Sequence, residues 1–222
     1  MPRFAAGVVH FETEVYPGKR ALFERLAEGQ SPDALFIACS DSRVETAMIT
    51  QTEPGELFIC RNAGNIVPPY SEQTGGMTAS IEYATEVLEV PHAVICGHTG
   101  CGAMAGAMRL ESVAHLPHVS RWLGYARAAV AVVEAAGAEL DEEARMRRLI
   151  EENVLLQMQH LRTHPAVAAR VATGRLSIHG WVYDIAGGHV FAYDEAHRAF
   201  VAVSDFYGEQ VARHAAHFAR GQ

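Results

Sequence analysis

The sequence predicts an α/β fold. It reads as a single domain spanning residues 1–222, with a central, mostly parallel β-sheet flanked by helices. An N-terminal helical arm precedes the sheet, and an antiparallel edge strand or hairpin follows near the C-terminus. Three observations point this way. Short apolar runs at 34–40, 56–65 and 92–101 each end in a loop of small or polar residues, as buried parallel strands do. Helix-period stretches lie after the second run and again across 119–165. Late in the chain, alternating apolar and polar residues flank a Gly-Gly pair.

Taken in order, "VVHFETEVYPGKRALFERLAEGQ" makes residues 1–30 a helical arm, with a break expected at Pro17-Gly18. "ALFIACS" (34–40) follows a Pro-Asp turn and reads as a buried strand. "ELFICRNAGN" (56–65) repeats the pattern of strand and small-residue loop. "MTASIEYATEVLEV" (77–90) is a helix with Met77, Ile81, Ala84 and Leu88 on one stripe. "HAVICGHTGC" (92–101) is a third buried strand, which completes a core segment at 34–105. Two helices follow, at 119–136 and 142–165, the second expected to stop at Pro165. "LSIHGWVYDIAGGHVFAYD" (176–194) is a pair of strands around Gly187-Gly188, within a C-terminal strand region at 176–203. "EQVARHAAHFARGQ" is a weak helix or a tail. The strand–helix alternation through residue 101 implies right-handed crossovers in a parallel sheet.

The bulk numbers exclude several classes. A net charge of −8 argues against nucleic acid or an anionic membrane as the partner. No stretch approaches the ~18 uninterrupted apolar residues of a membrane span. "MPRFAAGVVHFETE" does not read as a secretory leader, so a cytoplasmic, thiol-reducing compartment is expected. There Cys39, Cys60, Cys96 and Cys101 read as metal ligands or small core residues rather than a disulfide frame.

In open parallel sheets, sites form beyond the carboxyl ends of the strands. Cys39 ends one predicted strand, and His98-x-x-Cys101 lies just past another. If those strands are neighbours, two thiols and an imidazole converge, a donor set suited to zinc. Gly100 and Gly102 flank Cys101, and "CGAMAGAM" reads as a helix start whose amides favour a thiolate. Cys60 and Cys96 read as packed core, with Cys96 inert. His115, His118, His160, His164 and His214 lack this setting, and surface or capping roles suit them. Asp41 is the candidate fourth ligand, and Arg43 can hold that carboxylate off the metal in a bidentate pair. Zinc with two thiolates is formally neutral and acidifies bound water less than a three-histidine zinc. An ionised Asp41 would accept the hydrogen of a zinc-bound hydroxide and aim its lone pair at a small electrophile.

With these residues in view, the chain resembles the β-class carbonic anhydrases, reversible CO2 hydratases. "CSDSR" followed by "GHTGC" about sixty residues later is the pairing that carries the likeness; "EPGELF", "RNAGN", "GGMTASIEYA" and "GWVYDI" extend it over most of the sequence. The resemblance implies one Zn2+ per chain on Cys39, His98 and Cys101. It also implies an Asp41–Arg43 dyad and CO2 and bicarbonate as the small-molecule partners. Gln30, Phe58 and Tyr83 match the plant-like, open-site kind of the family, and "NIVPPY" also looks plant-like. The bicarbonate-regulated kind has a tryptophan where Phe36 stands, although Arg61 and Tyr183 match its other two pocket positions. Asp41 is therefore expected on Arg43, with water on zinc.

The Gln30 amide would donate to an oxygen of CO2 or bicarbonate, and Phe58 would supply an apolar wall, plain core packing being its other reading. Tyr83 lies about 200° from Ile81 around the helix, off the core stripe. Gly102 joins this substrate-binding set. In the family such residues come from a dimer partner, so a homodimer is the minimal expected unit, with a tetramer or larger assembly left open. Two alternatives remain: a CS2 or COS hydrolase on the same fold, and a non-catalytic zinc or bicarbonate-sensing relative.

Overall fold

In a computed structural model, residues 1–71, 74–136 and 140–218 are described. The N-terminal arm comprises α1 (Pro2–His10), a wide π turn at Phe11–Val15 and α2 (Tyr16–Ala27), none of which buries a residue in this chain. The expected break at Pro17-Gly18 does not occur. In the wide turn the Tyr16 amide donates to the Phe11 carbonyl five residues back, and Pro17 falls in the first turn of α2. At that position its missing N–H costs nothing.

The strands are β1 (Ala34–Cys39), β2 (Leu57–Asn62), β3 (His92–His98), β4 (Ser177–Asp184), β5 (His189–Asp194) and β6 (Ala199–Ala202). They form one sheet in the order β2-β1-β3-β4-β5-β6. The first four are parallel, and β5 and β6 join antiparallel. The third C-terminal strand, β6, extends the expected hairpin by one.

Short α3 (Thr46–Thr50) follows β1, and α4 (Gly76–Glu82) runs into a second wide turn at Tyr83–Val87. Ile81 and Ala84 of the expected stripe are fully buried, with Met77 and Leu88 packed around them. After β3 come α5 (Gly102–Met108), α6 (Pro117–Leu123), α7 (Arg127–Ala136), α8 (Glu142–Arg162) and α9 (Pro165–Ala172). Pro165 lies three residues past the end of α8 at Arg162. It opens α9, since a proline stops one helix and suits the first turn of the next. The closing helix α10 (Val203–Phe218) has non-helical backbone at Gly208, and residues 219–222 of the expected tail lie outside the described residues.

Both sheet faces are covered around β1 and β3, whose residues are almost all buried. One face carries Leu35, Ile37, Ala93 and Ile95 against α8 and its neighbours; the other carries Phe36, Ala38, Val94 and Cys96 beside Trp181. Helix α8 lies close on β3 and β4 because both strands present glycine to it. A Cβ on Gly97 would stand 2.9 Å from Val154, and one on Gly180 would stand 2.9 Å from the same residue. No helix among the described residues is long and apolar enough to cross a membrane.

Candidate metal centre

The register of the sheet creates the centre. Ala38 pairs with Cys96, so the carboxyl ends of β1 and β3 lie side by side, with Cys39 ending one and His98 the other. The chain then turns through Gly100, whose φ of +66° is in the left-handed region open to glycine, and returns Cys101 as the N-cap of α5. The result is a buried trio, Cys39, His98 and Cys101, whose donor atoms all lie within 4.8 Å of one another. The two sulfurs are 4.0 Å apart. Two zinc–sulfur bonds at a tetrahedral angle would set them about 3.8 Å apart.

His98 is oriented for ligation. Its Nδ1–H donates to the Thr99 carbonyl at 2.9 Å, which leaves the lone pair on Nε2. That Nε2 is buried and has no hydrogen-bond partner. A buried ring nitrogen without a partner is costly, and an ion between it and the two sulfurs satisfies it. Thr99 is fixed in turn: its amide donates to the Tyr183 carbonyl at 2.9 Å and its hydroxyl to Asp184 at 3.1 Å. The two thiols lie in contact and perturb each other. The Cys101 thiol beside Cys39, then His98 and the Gly64 and Asp41 amides, lower the Cys39 pKa to about 4 against the opposing effect of burial. Contact with Cys39, and then burial, raise the Cys101 thiol.

Asp41 and Arg43 are paired as expected. Arg43 Nε donates to Oδ1 at 2.9 Å and Nη2 to Oδ2 at 2.8 Å, while the Arg43 amide also reaches Oδ1 at 3.0 Å. Nη2 further donates to the Gly100 carbonyl at 3.0 Å, tying the dyad to the loop that delivers Cys101. The Arg43 side chain holds the Asp41 carboxyl well below the usual carboxylate range. Asp41 Oδ2 stands 3.8 Å from His98 Nε2, so the carboxylate borders the metal position.

The other predicted residues separate into two groups. Gly102 follows Cys101 directly and is exposed, with nothing within 4 Å of the place a Cβ would occupy. Phe58 and Tyr83 come together, ring centroids 6.0 Å apart, but away from the trio. Phe58 pairs with Leu35, four residues before Cys39, which is about 13 Å along the strand. Gln30 is exposed in the turn before β1. Within one chain these three do not reach the metal set.

Cys60 and Cys96 are packed in the core, and burial pushes the Cys96 thiol up to about 12. Phe36 is buried edge-on to Trp181, centroids 5.9 Å apart. His160 and His164 leave the surface: His160 is half-buried, and His164, at the N-cap position of α9, is buried and makes no side-chain cap bond. They turn inward and bond the carbonyls of Val67 at 2.9 Å and Pro68 at 3.0 Å. Arg61 reaches across from β2 to three carbonyls of the Cys39 loop: Cys39 at 3.0 Å, Asp41 at 2.7 Å and Val44 at 2.5 Å. Asn153 and Gln157, polar residues one helical turn apart on the buried face of α8, were not singled out from sequence; that placement was the available signal.

A family model described as carbonic anhydrase matches residues 34–190. A carbonic anhydrase of Pseudomonas aeruginosa is 49% identical over 199 residues, which cover 90% of this chain and 90% of that one. The solved β-carbonic anhydrase CcaA has a TM-score of 0.89 at 44% identity, with 91% of each chain covered. This chain belongs to the β-class carbonic anhydrases. One of two β-carbonic anhydrases described as tetrameric, from Sordaria macrospora, is 32% identical with a TM-score of 0.73, covering 86% of this chain and 97% of that one. Reversible hydration of CO2 is the activity that goes with the family. The carbonic anhydrase trio is the one metal-capable group found among the described residues.

Proposed function

We propose that this carbonic anhydrase is a zinc enzyme of the open-site kind, with one Zn2+ per chain on Cys39 Sγ, His98 Nε2 and Cys101 Sγ. The observation that carries this reading is the partnerless, buried His98 Nε2 facing two sulfurs, beside an Asp41 that Arg43 holds in a bidentate pair. The ion supplies the Lewis acidity that lets water attack CO2 at neutral pH. Three protein ligands leave it a fourth place. The chain's own residues do the rest. Arg43 keeps Asp41 ionised and directed, and Asp41 accepts a proton-bearing group next to the metal position while turning away anionic-only ligands. The exposed start of α5 at Gly102 leaves room for a triatomic substrate.

Gln30, Phe58 and Tyr83 act across a subunit boundary in this reading. Phe58 and Tyr83 form a pair on β2 and the wide turn, and β2 is the sheet's edge strand. A homodimer is the smallest unit that lets them face a second chain's metal. The tetrameric Sordaria macrospora relative is compatible with such pairing or a larger assembly.

Stopped-flow assays with CO2, CS2 and COS test the substrate. The expected result is fast CO2 hydration lost on metal removal and restored by zinc. Turnover of CS2 or COS without CO2 hydration would overturn it, and absence of all three activities in zinc-loaded protein would favour a sensing role.

A further inference from the structure

The Cys39 sulfur accepts the Gly64 amide N–H at 3.4 Å, within the longer reach of sulfur acceptors. That amide belongs to the same peptide unit as the Ala63 carbonyl, and the Trp122 indole N–H donates to that carbonyl at 2.9 Å. Indole, peptide and sulfur therefore form one directed chain, in which each bond polarises the next. The following peptide is held as well. Asn153 Nδ2 donates to the Gly64 carbonyl at 3.0 Å, Gln157 Nε2 donates to Asn153 Oδ1 at 2.9 Å, and Gln157 Oε1 accepts the Val67 amide at 2.9 Å. Asn153 and Gln157 are essentially fully buried, so leaving their polar groups unpaired would be costly.

Gly64 itself permits no substitute. Its φ is +84°, and a Cβ there would meet Met104 at 2.8 Å and Ala103 at 3.1 Å, both on the helix that Cys101 begins. The Gly64 peptide is thus clamped between α5, α6 and α8, with its N–H aimed at one metal-ligating sulfur.

We propose that Trp122 and Asn153 are positioning residues that set the charge on Cys39. By fixing the Gly64 amide on the thiolate, they withdraw electron density from this ligand and leave the metal a stronger Lewis acid. Without that hydrogen bond the sulfur becomes the better donor and the metal the weaker acid. The inference rests on the metal-centre reading above.

The test uses the whole protein loaded with cobalt, whose thiolate-to-metal charge-transfer band reports sulfur donation independently of turnover. Trp122→Phe keeps an aromatic ring and deletes the N–H. Asn153→Leu deletes the Gly64 carbonyl's donor at similar volume. Leu161→Ala, a fully buried change elsewhere on α8, controls for general loosening. The expected result is a band at longer wavelength in both Trp122→Phe and Asn153→Leu. Leu161→Ala should lower the melting temperature and leave the band in place. Should Asn153→Leu not fold, Trp122→Phe decides alone. Bands coincident with wild type, or an equal shift in Leu161→Ala, would overturn the proposal. A wild-type cobalt protein with no thiolate band would overturn the metal-centre reading, and the proposal with it.

Discussion

Replacing Gly97 with alanine tests whether the contact between α8 and β3 places His98, the proposed metal ligand next to it. The new Cβ would stand 2.9 Å from Val154 Cγ2 and 3.1 Å from Ile150 Cγ2. Both neighbours are β-branched and stiff at χ1, and both are buried, so neither can swing aside. Restoring ordinary contact requires the strand and helix to part by about 0.5 Å or more. Overpacking of this kind costs about 1–3 kcal/mol. For a chain of this size each kcal/mol moves the melting temperature about 2–4 °C, so a fall of roughly 2–12 °C is expected. The displacement is passed to His98, the adjacent residue, and CO2 hydration should fall about tenfold, since a misplacement of 1 Å can cost a hundredfold. Gly124→Ala is the control: its backbone is right-handed helical and nothing lies within 4 Å of the added carbon, so stability should hold or rise slightly. Melting by calorimetry and stopped-flow hydration read both variants. A Gly97→Ala protein with wild-type melting and activity would refute the reasoning.

Arg43→Met removes both side-chain bonds to Asp41 and the tie to the Gly100 carbonyl. It should lower CO2 hydration about 10–100-fold with metal content intact, as stopped-flow and elemental analysis would show. Cys96, 1% exposed and raised to about 12 by burial, should resist iodoacetamide at pH 8 in the folded protein; rapid labelling by mass spectrometry would contradict that. His179 is depressed to about 4, first by burial and then by His92. The unfolded chain takes up that proton near 6.5 and the folded one only near 4, so stability should rise with pH across this window. His179→Phe should flatten that part of the melting curve's pH dependence, and an unchanged slope would count against it.

The parallel strands and the trio were legible because each signal is local: an apolar run, a loop and a ligand-type residue at its end. Cys39 and His98 needed only that β1 and β3 be neighbours, which the sheet order provides. Other features depended on tertiary context. Pro17 reads as a breaker, yet a wide turn before it lets the helix continue. Pro165 reads as a stop and is also a start. His160 and His164 are ordinary in sequence, and only the fold brings the carbonyls of Val67 and Pro68 to them. Gln30, Phe58 and Tyr83 show the opposite case: motif likeness groups them with the metal, whereas one chain's geometry keeps them apart from it.

The most direct test of the central claim is the coordination sphere of the zinc-loaded protein at neutral pH, by crystallography or X-ray absorption. Two sulfurs from Cys39 and Cys101, one nitrogen from His98 and a fourth ligand that is not protein are predicted, with Asp41 still on Arg43. An Asp41 carboxylate in the sphere, or zinc bound at other residues, would contradict the account.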